Sequence, residues 1–307
     1  MRTTPLLLAI LGAAGLSATT GCMQFDDGLT GHVDLAPHVT DWREEIIYQV
    51  IIDRWANGDD GNDIDVNDAA PGSYHGGDWA GLEQHLDYIS DLGATAIWIS
   101  PVVKNVENDA GFAGYHGYWS QDLTQPNEHF GDLPALRSLV SSAHDRGLKV
   151  ILDIVTNHMG QLFYYDINEN GQPDDSVQGS GQNGQSPVVH VNEYDPDFDP
   201  RGVQAYSSLG PSGPAPVIFL YDPATNHMPP WPAVFQNPLA YNRKGGTYDF
   251  NDPDQLLHGD FPGGLKDVDT TRCDTKAAFV DSYAAWVEDT DLDGFRIDTV
   301  KHVEREF

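Results

Sequence analysis

Apolar positions along the chain follow two different periods. Residues 46–53 (IIYQVIID), 95–100 (TAIWIS) and 149–155 (KVILDIV) are short, nearly continuous apolar runs, the pattern of strands buried on both faces. Between them the spacing changes. Residues 78–93 open on Asp78, a helix-capping type, and close on Gly93, with Leu82, Leu86, Ile89 and Leu92 as a helical stripe. Residues 133–146 repeat the pattern and stop at Gly147, and residues 276–288 carry a third stripe of Phe279, Tyr283, Trp286 and Val287. A fourth strand is expected at 294–298. Residues 158–266 break the rhythm, being rich in Gly, Pro, Asn and Asp without a helical period. A stretch of more than 100 residues is too long for a loop and predicts an inserted subdomain.

The order strand, helix, strand, helix, strand, insertion, helix, strand predicts parallel βα units in an α/β fold. In such folds chemistry sits where the strands end in loops. Asp53, Ser100, residues 153–158 and residues 298–302 all fall at those ends. The last is the most suggestive, because Arg296 and Asp298 lie two apart on a strand and so share a face. An Asp held beside a guanidinium stays ionised, as a carboxylate nucleophile must. Taken alone, the pair reads better as a structural ion pair, as buried Arg–Asp pairs commonly are.

Charge narrows the choice of partner. With 16 basic and 47 acidic residues the formal charge is −31, which argues against nucleic acid and suits a neutral substrate or bound cations. Hydrophobic content of 40% is that of a globular chain. At the N-terminus, Arg2, the short apolar run of residues 6–16 and the small residues after it form an export signal too short to span a membrane. Cys22 follows Thr19, Thr20 and Gly21, a pattern similar to a bacterial lipobox. The expectation is a lipid anchor at Cys22 on a cell-surface or outer-membrane protein, or otherwise a secreted one. With Cys22 lipidated, Cys273 has no partner for a disulfide.

The motifs DIVTNH (153–158) and GFRIDTVKH (294–302), in this order at strand ends, resemble the alpha-amylase family of glycoside hydrolases. The likeness runs from about residue 46 to the end and takes in DRWANGDDGND (53–63), HGGDWAGL (75–82), YHGYW (115–119) and LKDVD (265–269). The motifs are most similar to those of cyclodextrin glucanotransferases and maltogenic bacterial amylases. The resemblance implies the N-terminal half of a TIM (β/α)8 barrel, strands 1–4, with domain B inserted after strand 3. The expected divisions are a signal at 1–22, a tether at 23–44, barrel at 45–157 and 267–307, and domain B at 158–266.

It further implies an alpha-glucan substrate, polysaccharide or oligosaccharide. Asp298 is the nucleophile of a retaining reaction, Arg296 its electrostatic keeper, and Asp153 the carboxylate of the first motif. By the same resemblance Tyr118 would stack on the sugar in the cleaved subsite, His116 would hydrogen-bond it, His158 would bind it, and Lys301 and His302 would stand on the acceptor side. Sugar faces are apolar C–H surfaces, so an aromatic platform is physically reasonable. Calcium is implied between the Asn157 side chain, Asp267 and the His302 carbonyl, and again at Asn57, Asp59, Asn62, Asp63, Asp78 and the Gly76 carbonyl. Oxygen donors of this kind suit calcium.

Two further acidic runs have the D-x-N-x-N-G or D-x-D-x-D-G opening of a calcium loop. The one from Asp166 has Val177 where a closing Glu belongs, and an Asn-Gly turn explains it as well. The one at Asp289, Asp291 and Asp293 reads better as the turn into the fourth strand.

Retaining hydrolysis also needs an acid roughly 5 Å from the nucleophile. The family supplies it as a Glu on a fifth strand. Glu304 and Glu306 are too near Asp298 in sequence for a parallel crossover and are expected at the start of a helix, as surface acids. The chain is therefore expected to be part of a longer enzyme and, as it stands, not to hydrolyse starch. The other readings are a non-catalytic glucan-binding protein and a glucan transglycosylase.

Overall fold

The computed structural model describes residues 33–109, 111–165, 216–219, 221, 228–247 and 249–307. The export signal, Cys22 and the calcium-like run from Asp166 lie outside them. Among the described residues no helix is long and apolar enough to cross a membrane.

Four strands, β1 (Ile47–Val50), β2 (Ala96–Ile99), β3 (Lys149–Val155) and β4 (Gly294–Asp298), pair side by side in chain order. All three pairings are parallel. This sequential winding, with helices between the strands, is that of a (β/α)8-type barrel. Parity then sorts the side chains. Val150, Leu152 and Ile154 of β3 face the helices and are buried, while Ile151 and Asp153 face the opposite side with Trp98 of β2 and Arg296 and Asp298 of β4. The outer core is completed by Leu82, Leu86 and Ile89, by Leu136, Leu139 and Val140, and by Phe279, Tyr283 and Trp286.

The helices depart from expectation in two places. The helix expected at 78–93 is two, α1 (Trp79–Gln84) and α2 (Leu86–Asp91). His85 makes the break, because its Nδ1 lies 2.7 Å from the Gly81 carbonyl that would otherwise accept its own amide. The helix α3 (Leu133–His144) is capped by Asp132, whose side chain accepts from Ala135 N. The insertion contains a short helix, α4 (Pro253–His258), capped by Asp252, although no helical period announced it. The last, α5 (Cys273–Thr290), starts three residues earlier than expected and stops at Asp291, which adopts a left-handed φ of 61°.

Residues 33–44, the described part of the expected tether, lie against the barrel. Val33 N donates to Glu288 O, Ala36 N donates to Asp291 Oδ1, and Trp42 covers Gly294 so closely that a Cβ there would stand 2.9 Å from its ring. The insertion has a closed neck. His158–Met159 pairs antiparallel with Lys266–Asp267, and the buried Lys266 ammonium sits 3.0 Å from Asp260 Oδ2 between the rings of Phe163 and Tyr165. A buried ammonium needs such a partner.

Candidate active site

Each strand delivers a polar side chain at its C-terminal end. On β4, Arg296 and Asp298 point the same way, and Arg296 Nη1 stands 2.6 Å from Asp298 Oδ1. The parallel register sets Arg296 opposite Asp153 on β3, and the same Nη1 reaches both oxygens of that carboxylate at 3.1 Å. One guanidinium therefore bridges two carboxylates. Burial works against the charge of Arg296, but Asp153 and Asp298 outweigh it and hold its pKa above the ordinary value. Burial pushes the Asp153 carboxyl up, opposed by donors from Tyr118, Arg296 and Trp98.

Asp153 Oδ2 accepts from Tyr118 Oη at 2.7 Å and from Trp98 Nε1 at 2.9 Å. The guanidinium also faces the Trp98 ring, 4.9 Å from its centre. Sequence reasoning passed over Trp98. Its signal was parity: in TAIWIS it is the one large residue on the inner face, on the strand adjacent to Asp153.

Tyr118 comes from a hairpin between Val103–Asn105 and Ser120–Pro126. Asn105 holds the tip by accepting from Trp119 N at 2.6 Å. Within it His116 Nδ1 accepts from Tyr118 N, and the two rings stack at 5.8 Å. Burial, aided by the charge of Arg54, pushes His116 down to about 4, so its imidazole is neutral. Arg54 joins the hairpin to the end of β1: it lies 3.7 Å over the Tyr115 ring and pairs with the buried Asp53, which also accepts from His75 N and Gly76 N. Asp53 and Arg54 are thus supports of the site.

His158 is buried, stacked on Phe261 at 5.2 Å, and burial pushes it down to about 3. Thr299, directly after Asp298, holds a left-handed φ of 51°, a costly conformation for a β-branched residue. It turns the chain into Val300–His302, which leaves Lys301 exposed and His302 buried with Nδ1 2.9 Å from Leu256 O. Glu304 is not at the start of a helix as expected. Its carboxylate accepts from Thr270 Oγ1, and its other oxygen lies 3.7 Å from His258. Glu306 is exposed.

The two expected cation sets differ in fit. The Asn157 side-chain oxygen faces only acceptors, 3.2 Å from Asp267 Oδ1 and 2.9 Å from the His302 carbonyl. Three converging oxygens suit a cation between them, and turning the amide would also relieve them. Burial, with the carboxylates of Asp260, Glu304 and Asp269 nearby, pushes Asp267 well above the usual carboxylate range against one hydrogen bond from Asn242. Asn57, Asp59, Asn62, Asp63, Gly76 and Asp78 are also gathered. There Asp78 already accepts from Gly58 N, Asp59 N, Gly81 N and Asn62 Nδ2, and Asp63 from Asn57 Nδ2. Asn62 Oδ1 is buried with no donor among the described residues, the one open acceptor that favours a cation. The Asp289, Asp291 and Asp293 run is no calcium loop: Asp289 pairs with Arg137, and the other two meet backbone amides and histidines.

A carboxylate fixed by a guanidinium, beside an aromatic hydroxyl and a neutral imidazole, is equipped to attack an electrophilic carbon. Comparison with known proteins agrees. Residues 49–307 match the family model described as alpha amylase, catalytic domain. An alpha-amylase of Streptomyces lividans is 34% identical over 255 residues, covering 77% of this chain and 25% of that protein. A cyclomaltodextrin glucanotransferase of Klebsiella oxytoca is 31% identical over 277 residues, covering 87% of this chain and 34% of that protein. The alpha-amylase of Geobacillus thermoleovorans, solved in complex with acarbose, superposes with a TM-score of 0.56 at 30% identity, covering 87% of this chain and 43% of that one. The chain spans less than half the length of each of these relatives. With the barrel-type fold, the strand-end cluster and this likeness in agreement, the chain belongs to the alpha-amylase catalytic-domain family of glycoside hydrolases.

Proposed function

We propose that this chain carries the nucleophile half of a retaining alpha-glucan hydrolase. The observation that carries the reading is the shared guanidinium of Arg296, 2.6 Å from Asp298 and 3.1 Å from Asp153. In this reading Asp298 attacks the anomeric carbon, the bond to the leaving oxygen breaks, and a glycosyl ester forms for water to open. Arg296 holds the attacking oxygen in place. Asp153 anchors Arg296, while Tyr118 and His116 form the wall that meets the sugar. Acarbose bound to the Geobacillus relative supports a glucan-like ligand.

Asp153 is committed to Arg296, Tyr118 and Trp98, so among the described residues the cluster offers Asp298 as nucleophile and no second carboxyl free to donate a proton. By itself the chain should therefore leave starch intact. Asn157, Asp267 and the His302 carbonyl would hold calcium, whose charge would neutralise Asp267 and tie the neck of the insertion to β4. The export signal and Cys22 support a place outside the cytoplasm, on a lipid anchor.

The test uses a leaving group that needs little acid help. The full chain should release fluoride from α-maltosyl fluoride while releasing no reducing sugar from soluble starch, and Asp298→Asn should abolish the fluoride release. Fluoride release that survives Asp298→Asn, or none from the unaltered chain, would overturn the nucleophile assignment. Starch turnover abolished by Asp298→Asn would overturn the half-site reading alone.

A further inference from the structure

A second cluster of ligating groups lies at the opposite end of the sheet. Three distant segments supply it. His38 comes from the segment laid against the barrel, His144 from the last turn of α3, and Asp291 and Asp293 from the turn between α5 and β4. His38 Nε2 stands 3.0 Å from Asp291 Oδ2, and His144 Nε2 stands 2.9 Å from Asp293 Oδ2. His144 Nδ1 is 3.7 Å from Asp291 Oδ2, and the two imidazoles stack at 3.7 Å. One ligand atom each from His38, His144 and Asp293 falls within a mutual 4.8 Å.

We propose that His38, His144, Asp291 and Asp293 bind a zinc-class divalent cation at the base of the barrel. Three observations carry this. First, bonds of about 2.0 Å in tetrahedral zinc put neighbouring ligand atoms about 3.3 Å apart. The separations His38 Nε2–Asp291 Oδ2, 3.0 Å, and His144 Nε2–Asp293 Oδ2, 2.9 Å, lie a few tenths below that value, and tilting the two stacked imidazoles would bring both nitrogens onto one ion between the carboxylates. Second, imidazole with carboxylate is a donor set for zinc rather than for calcium, which takes oxygen ligands. Third, the carboxylates are fixed from outside: Asp291 Oδ1 accepts from Ala36 N and Asp293 Oδ2 from Val150 N, an outer layer of the kind that orients metal ligands.

A cavity of about 370 Å³ lined by His38, Thr40, Trp42, Asp291 and Asp293 gives an ion access from solvent. The ion would pin residues 36–38 to the barrel. Its place is structural, since β4 separates it from Asp298.

The test uses zinc alone on the full chain after chelator treatment. Titration calorimetry and thermal melting should show one zinc per chain and a zinc-dependent rise in Tm. Calcium at the same concentration should compete with neither. His38→Gln and His144→Gln should each weaken binding at least tenfold. Asp291→Asn, which keeps a residue suited to the left-handed conformation, should also weaken it about tenfold while leaving the zinc-free melting temperature close to that of the parent. Should a histidine variant fail to fold, Asp291→Asn and the absorption of the cobalt(II)-loaded parent, which reports tetrahedral ligation, decide the matter. No zinc-dependent rise in the parent, or undiminished binding in the variants, would overturn the proposal, and so would calcium competing equally.

Discussion

The strand β4 ends in a carboxylate cluster on both sides, and the two are buried alike. The Asp153 side chain is 0% exposed at one end and the Asp293 side chain 2% at the other. Their partners differ. Asp153 and Asp298 share a guanidinium, which is charged at every pH the protein meets. Asp291 and Asp293 each meet an imidazole, which can be neutral, protonated or metal-bound. Burial sets the cost of a bare charge, and the partner decides whether the answer is permanent or conditional. A nucleophile needs the permanent kind. A clamp on a peripheral segment can be conditional.

The largest effect should follow from breaking the permanent end. Arg296→Met leaves Asp153 buried with only the Tyr118 and Trp98 donors. It should lower stability in urea unfolding by about 3 kcal/mol, the range for an uncompensated buried charge. Fluoride release should fall with it by roughly 10²-fold or more. The corresponding change at the conditional end, Asp293→Asn, retains an acceptor for Val150 N and should cost about 1 kcal/mol. Equal losses would mean that the choice of partner does not separate the two ends.

Acid should sharpen the contrast at a third point, beside the active end. His158 is buried and neutral, with its pKa pushed down from 6.5 to about 3. Between those values the unfolded chain binds the extra proton and the folded chain does not. Stability from this residue is therefore complete above pH 6.5 and is lost as pH falls toward 3, with a slope of up to about 1.4 kcal/mol per pH unit. His158→Gln should flatten the pH profile of urea unfolding in that window. A slope unchanged by the substitution would remove His158 as its source.

Calcium offers a change of sign. With calcium absent, Asp267→Asn removes a buried charge and should raise Tm. With calcium present it removes a ligand and should lower Tm relative to the parent, each by an amount of order 1 kcal/mol. A shift of the same sign in both media would argue that no calcium is held there.

The strands, their parallel order and the pairing of Arg296 with Asp298 were legible in the sequence, because each rests on a local period: continuous apolar runs, stripes at helical spacing, two residues apart on a strand. What escaped depends on contacts between distant segments. His38 and His144 are 106 positions apart and look like unrelated surface histidines until the barrel brings them together. The break at His85 turns on one side-chain bond to the Gly81 carbonyl, which no periodicity records. Asp289, Asp291 and Asp293 resemble a calcium loop in spacing, yet Asp291 ends a helix in a left-handed conformation, Asp289 turns away to Arg137, and the other two meet histidines. Spacing alone cannot tell shared ligands from separate ones.

Trp98 gives the smallest and most selective test of the permanent end. Its indole donates to Asp153 Oδ2 at 2.9 Å, and its ring faces Arg296 at 4.9 Å. Trp98→Phe keeps a ring and deletes the donor, whereas Trp98→Ala would add a cavity and confuse the two. Losing one hydrogen bond to a buried carboxylate costs about 1 kcal/mol, or roughly fivefold in rate if all of it reaches the transition state. Because Trp98 acts through Asp153 and Arg296, it is a positioning residue, and the loss should fall on kcat for fluoride release with KM nearly unchanged. A residue that only filled space would lower Tm and leave kcat at saturating substrate intact. A kcat equal to that of the parent, with a lowered Tm, would therefore return Trp98 to the core and leave Arg296 and Tyr118 to hold Asp153.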